Sequence, residues 1–120
     1  MACLAVARLK PLTVPNGTNV SNVWLAREVY DDAEEVMLYG PAALDALTFT
    51  IEVSFNPEAA APTWVTLQDG SPAADVTAPA ATKARSYASG LISAVGVRIK
   101  ASGNVAADRV FDASKQYREN

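Results

Sequence analysis

The chain has 120 residues, a formal net charge of −3, one cysteine and no histidine. This length fits a single domain with one core. The lack of histidine excludes Ser-His-Asp and Cys-His catalytic sites and histidine-containing zinc sites, and the lone Cys3 excludes an internal disulfide as well as thiolate zinc and iron–sulfur sites.

Nucleic acid and membranes are not expected partners. Phosphate binding needs a dense basic face, whereas acidic side chains outnumber basic ones in residues 1–60. The apolar stretches are shorter than the roughly 20 residues that cross a bilayer. The glycines are scattered singly, so the sequence holds no phosphate-binding loop or dinucleotide fingerprint, and no cofactor is expected.

The first third of the chain predicts short strands separated by turns. Residues 3–9 form either a first strand or an extended arm, and a turn follows at 15–18. A strand is predicted at 20–26. An acidic connection at 30–35 then leads into a short apolar strand at 36–39.

The middle of the chain carries the most regular pattern. Residues 47–55 alternate large apolar and polar side chains, which predicts a strand with one buried and one solvated face. Residues 56–62 are too rich in proline and alanine for a tight hairpin, so a longer connection is expected there. Residues 63–67 are the predicted pairing strand.

The last third predicts further short strands. Residues 73–84 are expected to hold an edge strand, and another begins at 85–87. Residues 95–101 repeat the alternation, with charges on one side and aliphatic side chains on the other. A final strand is predicted at 106–113.

These elements predict an all-β fold. Short strands punctuated by Gly, Pro, Asn and Asp, without a sustained helical period, favour a single antiparallel β-sandwich of the jelly-roll type, with residues 1–120 as one domain. Residues 1–18 and 113–120 fall outside the clear strand pattern yet carry apolar side chains. We therefore expect at least one of these ends to be an extended arm that lies on a neighbouring subunit.

Acidic residues are the first candidates for binding chemistry. The stretch of Glu28, Asp31, Asp32, Glu34 and Glu35 offers the hard oxygen ligands that calcium prefers. It lacks the spacing of a calcium loop, and a solvated segment that blunts a sheet edge is the favoured interpretation. No metal site is therefore expected.

Paired carboxylates would be needed for a glycosidase. Asp45 with Glu52, or Asp108 with Asp112, are the pairs that can be nominated, and nothing in the sequence singles them out. We predict that the protein is not an enzyme.

Aromatic residues offer either a sugar-stacking platform or half-buried packing. Trp64 has the opposite parity to its apolar neighbours Val65 and Leu67, so it is expected either to face solvent or a partner, or to pack at the rim of the sandwich. The candidate interface residues are Leu4, Leu9, Trp64 and Tyr117.

Five short segments occur in a defined order along residues 30–112. They are the acidic stretch at 30–32, Gly40-Pro41-Ala42-Ala43-Leu44-Asp45, the strand at 47–55, Trp64-Val65-Thr66-Leu67 with Asp69-Gly70, and Val97-Arg98-Ile99-Lys100-Ala101-Ser102-Gly103. This order resembles small β-sandwich virion proteins of tailed bacteriophages. In that family a Pro-Ala-Ala-Leu/Trp-Asp loop precedes a Thr-Phe-Gln-Val-Ser type strand, and an Arg-Ile/Leu-Lys/Arg-x-Ser-Gly strand closes the pattern.

The resemblance implies a non-enzymatic structural protein of the virion, assembled in the host cytoplasm. Such proteins serve as capsid decoration or cement proteins that bind the major capsid protein, often as homotrimers, or as accessory parts of the neck and tail. They also resemble discoidin-type carbohydrate-binding sandwiches in architecture. A carbohydrate-binding module is therefore the alternative from another class.

Overall fold

The computed structural model describes residues 3–119. This part of the chain contains ten strands and one short helix. All strand pairings are antiparallel. In chain order the elements are β1 (Cys3–Val14), β2 (Trp24–Leu25), α1 (Ala26–Val29), β3 (Ala33–Tyr39), β4 (Phe49–Ser54), β5 (Val65–Thr66), β6 (Gln68–Asp69), β7 (Ala74–Asp75), β8 (Ala84–Tyr87), β9 (Gly96–Ala101) and β10 (Arg109–Glu119).

The strand order is that of a jelly roll. Sheet A has the order β1-β10-β3-β8, and sheet B has the order β2-β9-β4-β5. The two halves of the chain pair from the ends inwards, β1 with β10, β2 with β9, β3 with β8 and β4 with β5, so the chain is one long ribbon rolled into two packed sheets. The short ribbon of β6 and β7 belongs to the connection between β5 and β8. The predicted antiparallel β-sandwich is confirmed.

Sheet B contributes one half of the core, largely through β4 and β9. Phe49 lies opposite Ala101, and Ile51 lies opposite Ile99. Residues that are directly opposite in an antiparallel pair project from the same face, and all four side chains are buried. The alternation that predicted these two strands therefore also identified their buried face.

Sheet A closes the core from the other side. Leu12 lies opposite Phe111, and Leu38 lies opposite Ala113, with all four side chains buried. The Phe111 ring centroid is 5.9 Å from that of Phe49 in sheet B. This tilted aromatic contact packs the two sheets against each other at the centre of the molecule.

At least one of the two ends, residues 1–18 or 113–120, was expected to be a separate extended arm, but in residues 3–119 both ends contribute a strand to this sandwich. Residues 3–14 and 109–119 form β1 and β10, which pair with each other along their length. The reason is that the apolar residues of the N-terminal segment include Leu12 and Val14, which are fully buried in this sandwich and not on a neighbour. Residues 1, 2 and 120 lie outside the described part of the chain.

The strand predicted at 20–26 is shortened to β2, and the chain then turns into α1, which the sequence pattern did not predict. The Ser21 hydroxyl accepts a hydrogen bond from the Ile99 backbone N–H at 2.8 Å. The Asn22 side chain accepts another from the Thr13 N–H at 2.7 Å. Residues 19–21 also form backbone hydrogen bonds with Ile99 and Ala101 of β9, so this segment runs beside β9 and links it to Thr13 of β1.

β4 ends before the last apolar residue of the alternating run. The Ser54 hydroxyl accepts a hydrogen bond from the Asn56 backbone N–H at 3.1 Å, and the Asn56 side chain accepts one from the Thr63 N–H at 2.9 Å. These bonds turn the chain away from the sheet. Phe55, which the pattern placed on the buried face, is consequently 76% exposed.

Candidate interaction surfaces

The four candidate interface residues do not form one surface. Leu4 is exposed on β1, Leu9 packs against the core, and Tyr117 is half-buried on β10. Tyr117 lies opposite Ala5, the neighbour of Leu4, so Leu4 and Tyr117 project from opposite faces of sheet A. Trp64 lies beside β5 in the other sheet.

The outer face of sheet A carries several accessible apolar side chains, which we together call the sheet A patch. Polar residues of β10, among them Ser114 and Gln116, lie between the apolar residues of β1 and those of β3. Val6 is 71% exposed, and a shallow depression of about 230 Å³ next to it is lined in part by Met37 and Tyr39. Val6, Tyr39 and Val110 were not among the sequence candidates, although the alternation at the start of β1 was a usable signal. The members of the patch are Leu4, Val6, Met37, Tyr39 and Val110.

Residues of the acidic stretch that was considered as a calcium site form ion pairs with basic residues. Asp32 pairs with Lys115, and Glu34 pairs with Arg118 at 2.8 Å. Within residues 3–119 no three acidic, cysteine or histidine side chains lie close enough together to hold a metal ion. These ion pairs instead connect the segment around the start of β3 to the end of β10.

Trp64, Arg98 and Glu52 form a compact cluster on the outer face of sheet B. The Arg98 Nε donates to the Glu52 Oε1 at 2.7 Å, and the guanidinium carbon of Arg98 is 4.3 Å from the centroid of the Trp64 ring. Glu52 is only 5% exposed although it projects away from the core. Trp64 itself is half-buried, so it packs at the rim of the sheet with one ring face covered by the arginine.

Three of the four nominated carboxylates, those of Asp45, Glu52 and Asp108, each have a separate polar partner. Asp45 accepts from Arg109 at 2.7 Å, and this hydrogen bond lowers the pKa of the carboxyl from its ordinary value. Glu52 is engaged by Arg98, and the Asp108 carboxylate accepts from the backbone N–H of Asn16 at 2.8 Å. These contacts hold loops and strands together.

A polar groove runs along the outer face of sheet B beside this cluster. It measures about 180 Å³, and four of its seven lining residues carry a hydroxyl group. Its other polar groups are the Glu52 carboxylate and the Lys100 ammonium. The hydroxyl-bearing residues are Thr48, Thr50, Thr66 and Ser102.

No helix within residues 3–119 has the length and apolar character needed to span a membrane.

Comparison with known proteins does not assign the chain to a family. No family model matches the chain, and no curated protein matches it. Among solved structures it is similar to the Yersinia pseudotuberculosis-derived mitogen, with 11% sequence identity over 100% of this chain and 90% of that chain and a TM-score of 0.37. A likeness at this level supports no argument about function.

Proposed function

We propose that this chain is a non-enzymatic structural protein of a bacteriophage particle, namely a decoration protein that binds and stabilises the major capsid lattice. The resemblance of residues 30–112 to small virion proteins suggests the role. The observation that carries the proposal is the sheet A patch, in which Leu4, Val6 and Tyr39 are exposed on the same face of a regular sheet. Exposed apolar side chains spread over a regular sheet face favour a broad, shallow contact with another protein.

In this role the apolar residues of the patch would be buried at the centre of the contact with the capsid subunit. Charged residues on the same sheet, such as Arg8 and Glu34, would pair with charges on the capsid subunit and favour one orientation. The ion pairs from the acidic stretch to β10 support this by holding the strands beneath the patch in place. The homotrimer that the resemblance implies remains a separate prediction.

The experiment is rebinding of the purified chain to particles that lack it. Val110→Glu places a charge in the patch and is expected to weaken binding about tenfold or more, because the carboxylate would be desolvated without a partner. The matched control is Val95→Glu, at an exposed valine in the loop before β9. Equal binding by both variants would place the contact elsewhere, and failure of the unmodified chain to bind would contradict the decoration role.

The polar groove of sheet B favours one alternative, a carbohydrate-binding module. Hydroxyl, carboxylate and ammonium groups beside an aromatic ring are the groups that recognise sugars. This alternative predicts that the isolated chain binds a host-surface polysaccharide and that Trp64→Ala weakens the binding. No binding across a panel of such polysaccharides would remove it.

A further inference from the structure

β1 is an unusually long free edge for this sandwich. Sheet A begins with β1, which has 12 residues, and ends with β8, which has 4. Sheet B is bounded by β2 and β5, which have 2 residues each. Short edge strands offer few unpaired backbone groups, so β1 is the edge of residues 3–119 where strand addition can gain most.

The second half of β1 is already covered by the chain itself. The Trp24 Nε1 donates to the Lys10 carbonyl at 3.0 Å, and the Asn22 amide donates to the Pro11 carbonyl at 3.2 Å. Asn22 also bonds both backbone groups of Thr13. This part of the edge is therefore largely occupied by the segment around β2.

The first half of β1 has no such cover. Among the described residues, only β10 forms hydrogen bonds with the backbone of residues 3–9. In an antiparallel pair about half of the backbone groups of an edge strand point away from its partner. Lysine and proline residues protect edge strands from pairing with other chains, and here they occur at Lys10 and Pro11, in the covered half. Residues 3–7 carry no charge.

We infer that residues 3–9 of β1 pair antiparallel with the same residues of a second copy of this chain. The regular part of β1 runs from residue 3 to the register irregularity after Leu9, and its midpoint is Val6. Pairing about that midpoint places Val6 opposite Val6 of the second copy and Leu4 opposite Arg8, whose aliphatic stem covers the leucine. No like charges meet within this stretch.

The pairing joins the two copies of sheet A into one continuous sheet. It also brings Leu4 and Val6 of both copies together on the outer face, where they are 52% and 71% exposed in the single chain. On the other face, Ala5 lies opposite Ala7 of the second copy, and these small side chains leave room for close approach.

The contact has two-fold symmetry because the same strand is used by both copies. A three-fold ring would require β1 to pair with a different edge, and the other edges are too short to cover residues 3–9. The inference is independent of the virion role. It gives a dimer in solution where the resemblance implies a trimer.

Sedimentation equilibrium of the full chain tests the inference. We expect a concentration-dependent species with twice the 12.6 kDa mass of the chain. Val6→Lys places two ammonium groups opposite each other across the axis and is expected to weaken the dimer about tenfold or more. Val65→Lys is the matched control, because Val65 is an exposed valine on the edge of sheet B, and it should leave the dimer unchanged.

A second variant tests the register. Cys3→Ser with Val6→Cys leaves one thiol per chain, which the pairing places within disulfide distance of its counterpart. Mild oxidation should therefore give a covalent dimer. A monomer at all concentrations, a trimer, a dimer that survives Val6→Lys, or the absence of the cross-link would each overturn the inference. Circular dichroism checks that the variants fold.

Discussion

Arg98 connects three segments of sheet B through one side chain. It belongs to β9, pairs with Glu52 on β4, and stacks on Trp64 beside β5. Its side chain is 21% exposed, and that of Glu52 is 7% exposed. A carboxylate buried to this extent depends on its partner for compensation of lost hydration.

We therefore expect Arg98→Ala to lower the free energy of unfolding by about 2 kcal/mol, somewhat less than for a fully buried pair because water reaches part of the arginine. Arg27→Ala is the matched control, because it breaks an exposed ion pair with Glu58 and should change stability little. Urea unfolding of both variants measures the difference. If Arg98→Ala costs no more than Arg27→Ala, the cluster does not stabilise sheet B.

Two buried phenols predict loss of stability at high pH. Burial raises the pKa of Tyr30 and of Tyr87 well above the ordinary value of about 10. The hydroxyl of Tyr30 donates to the Ala94 carbonyl and that of Tyr87 to the Thr77 carbonyl. Above about pH 10 the unfolded chain releases these protons while the folded chain retains them, so the stabilisation present below that pH is lost as pH rises.

The double variant Tyr30→Phe/Tyr87→Phe should be less stable than the unmodified chain at neutral pH, because two buried hydrogen bonds are lost. Its stability should also fall less steeply between about pH 10 and 12. Thermal unfolding across this range makes the comparison. Parallel curves for the two proteins would show that the phenols do not cause the alkaline loss.

At the scale of elements, β1 and β10 make the two ends of the described chain part of the sandwich. Each is the other's neighbour in sheet A, and β1 supplies buried Leu12 to the core opposite Phe111. Deletion of residues 1–12 is therefore expected to abolish cooperative unfolding of the isolated chain. Deletion of residues 1–6 is the control, because it keeps Leu12 and should leave a folded domain. Circular dichroism with urea unfolding tests both, and a folded, cooperative chain without residues 1–12 would contradict this account.

The sequence predicts the positions of strands with one buried face better than the positions of segments that are held in place by side-chain hydrogen bonds. β4 and β9 follow directly from alternation. α1 and the segment around Ser21 depend on bonds to residues far along the chain, such as Ile99, which no local pattern reveals. The sequence left open whether the first segment is a strand or an arm. The second half of β1 covers the core and the first half is a free edge, so the apolar residues of the two halves are in different environments.

The interaction surfaces were harder to predict than the fold. Leu9 and Tyr117 were chosen because apolar residues in a tail suggest a partner; in the structure Leu9 packs against the core and Tyr117 is half-buried on β10. Val6 and Tyr39 become neighbours only when β1, β10 and β3 pair in sheet A. A surface that is assembled from three strands distant in sequence is not marked by any short motif in the amino-acid sequence.

At the scale of the whole molecule, the two outer faces of the sandwich differ in chemistry. Sheet A presents the apolar patch, whereas sheet B presents the Arg98 cluster and a polar groove. Such a division gives the molecule one face suited to protein contact and one suited to solvent. In the proposed decoration role, sheet A would lie against the capsid lattice.

The copy number of the chain in purified particles tests the proposed function most directly. Quantitative mass spectrometry against the major capsid protein gives this number. The decoration role predicts on the order of hundreds of copies per particle, in a simple ratio to the capsid subunit. About six or twelve copies would assign the chain to the neck or tail instead. Absence of the chain from purified particles would contradict a structural role in the virion.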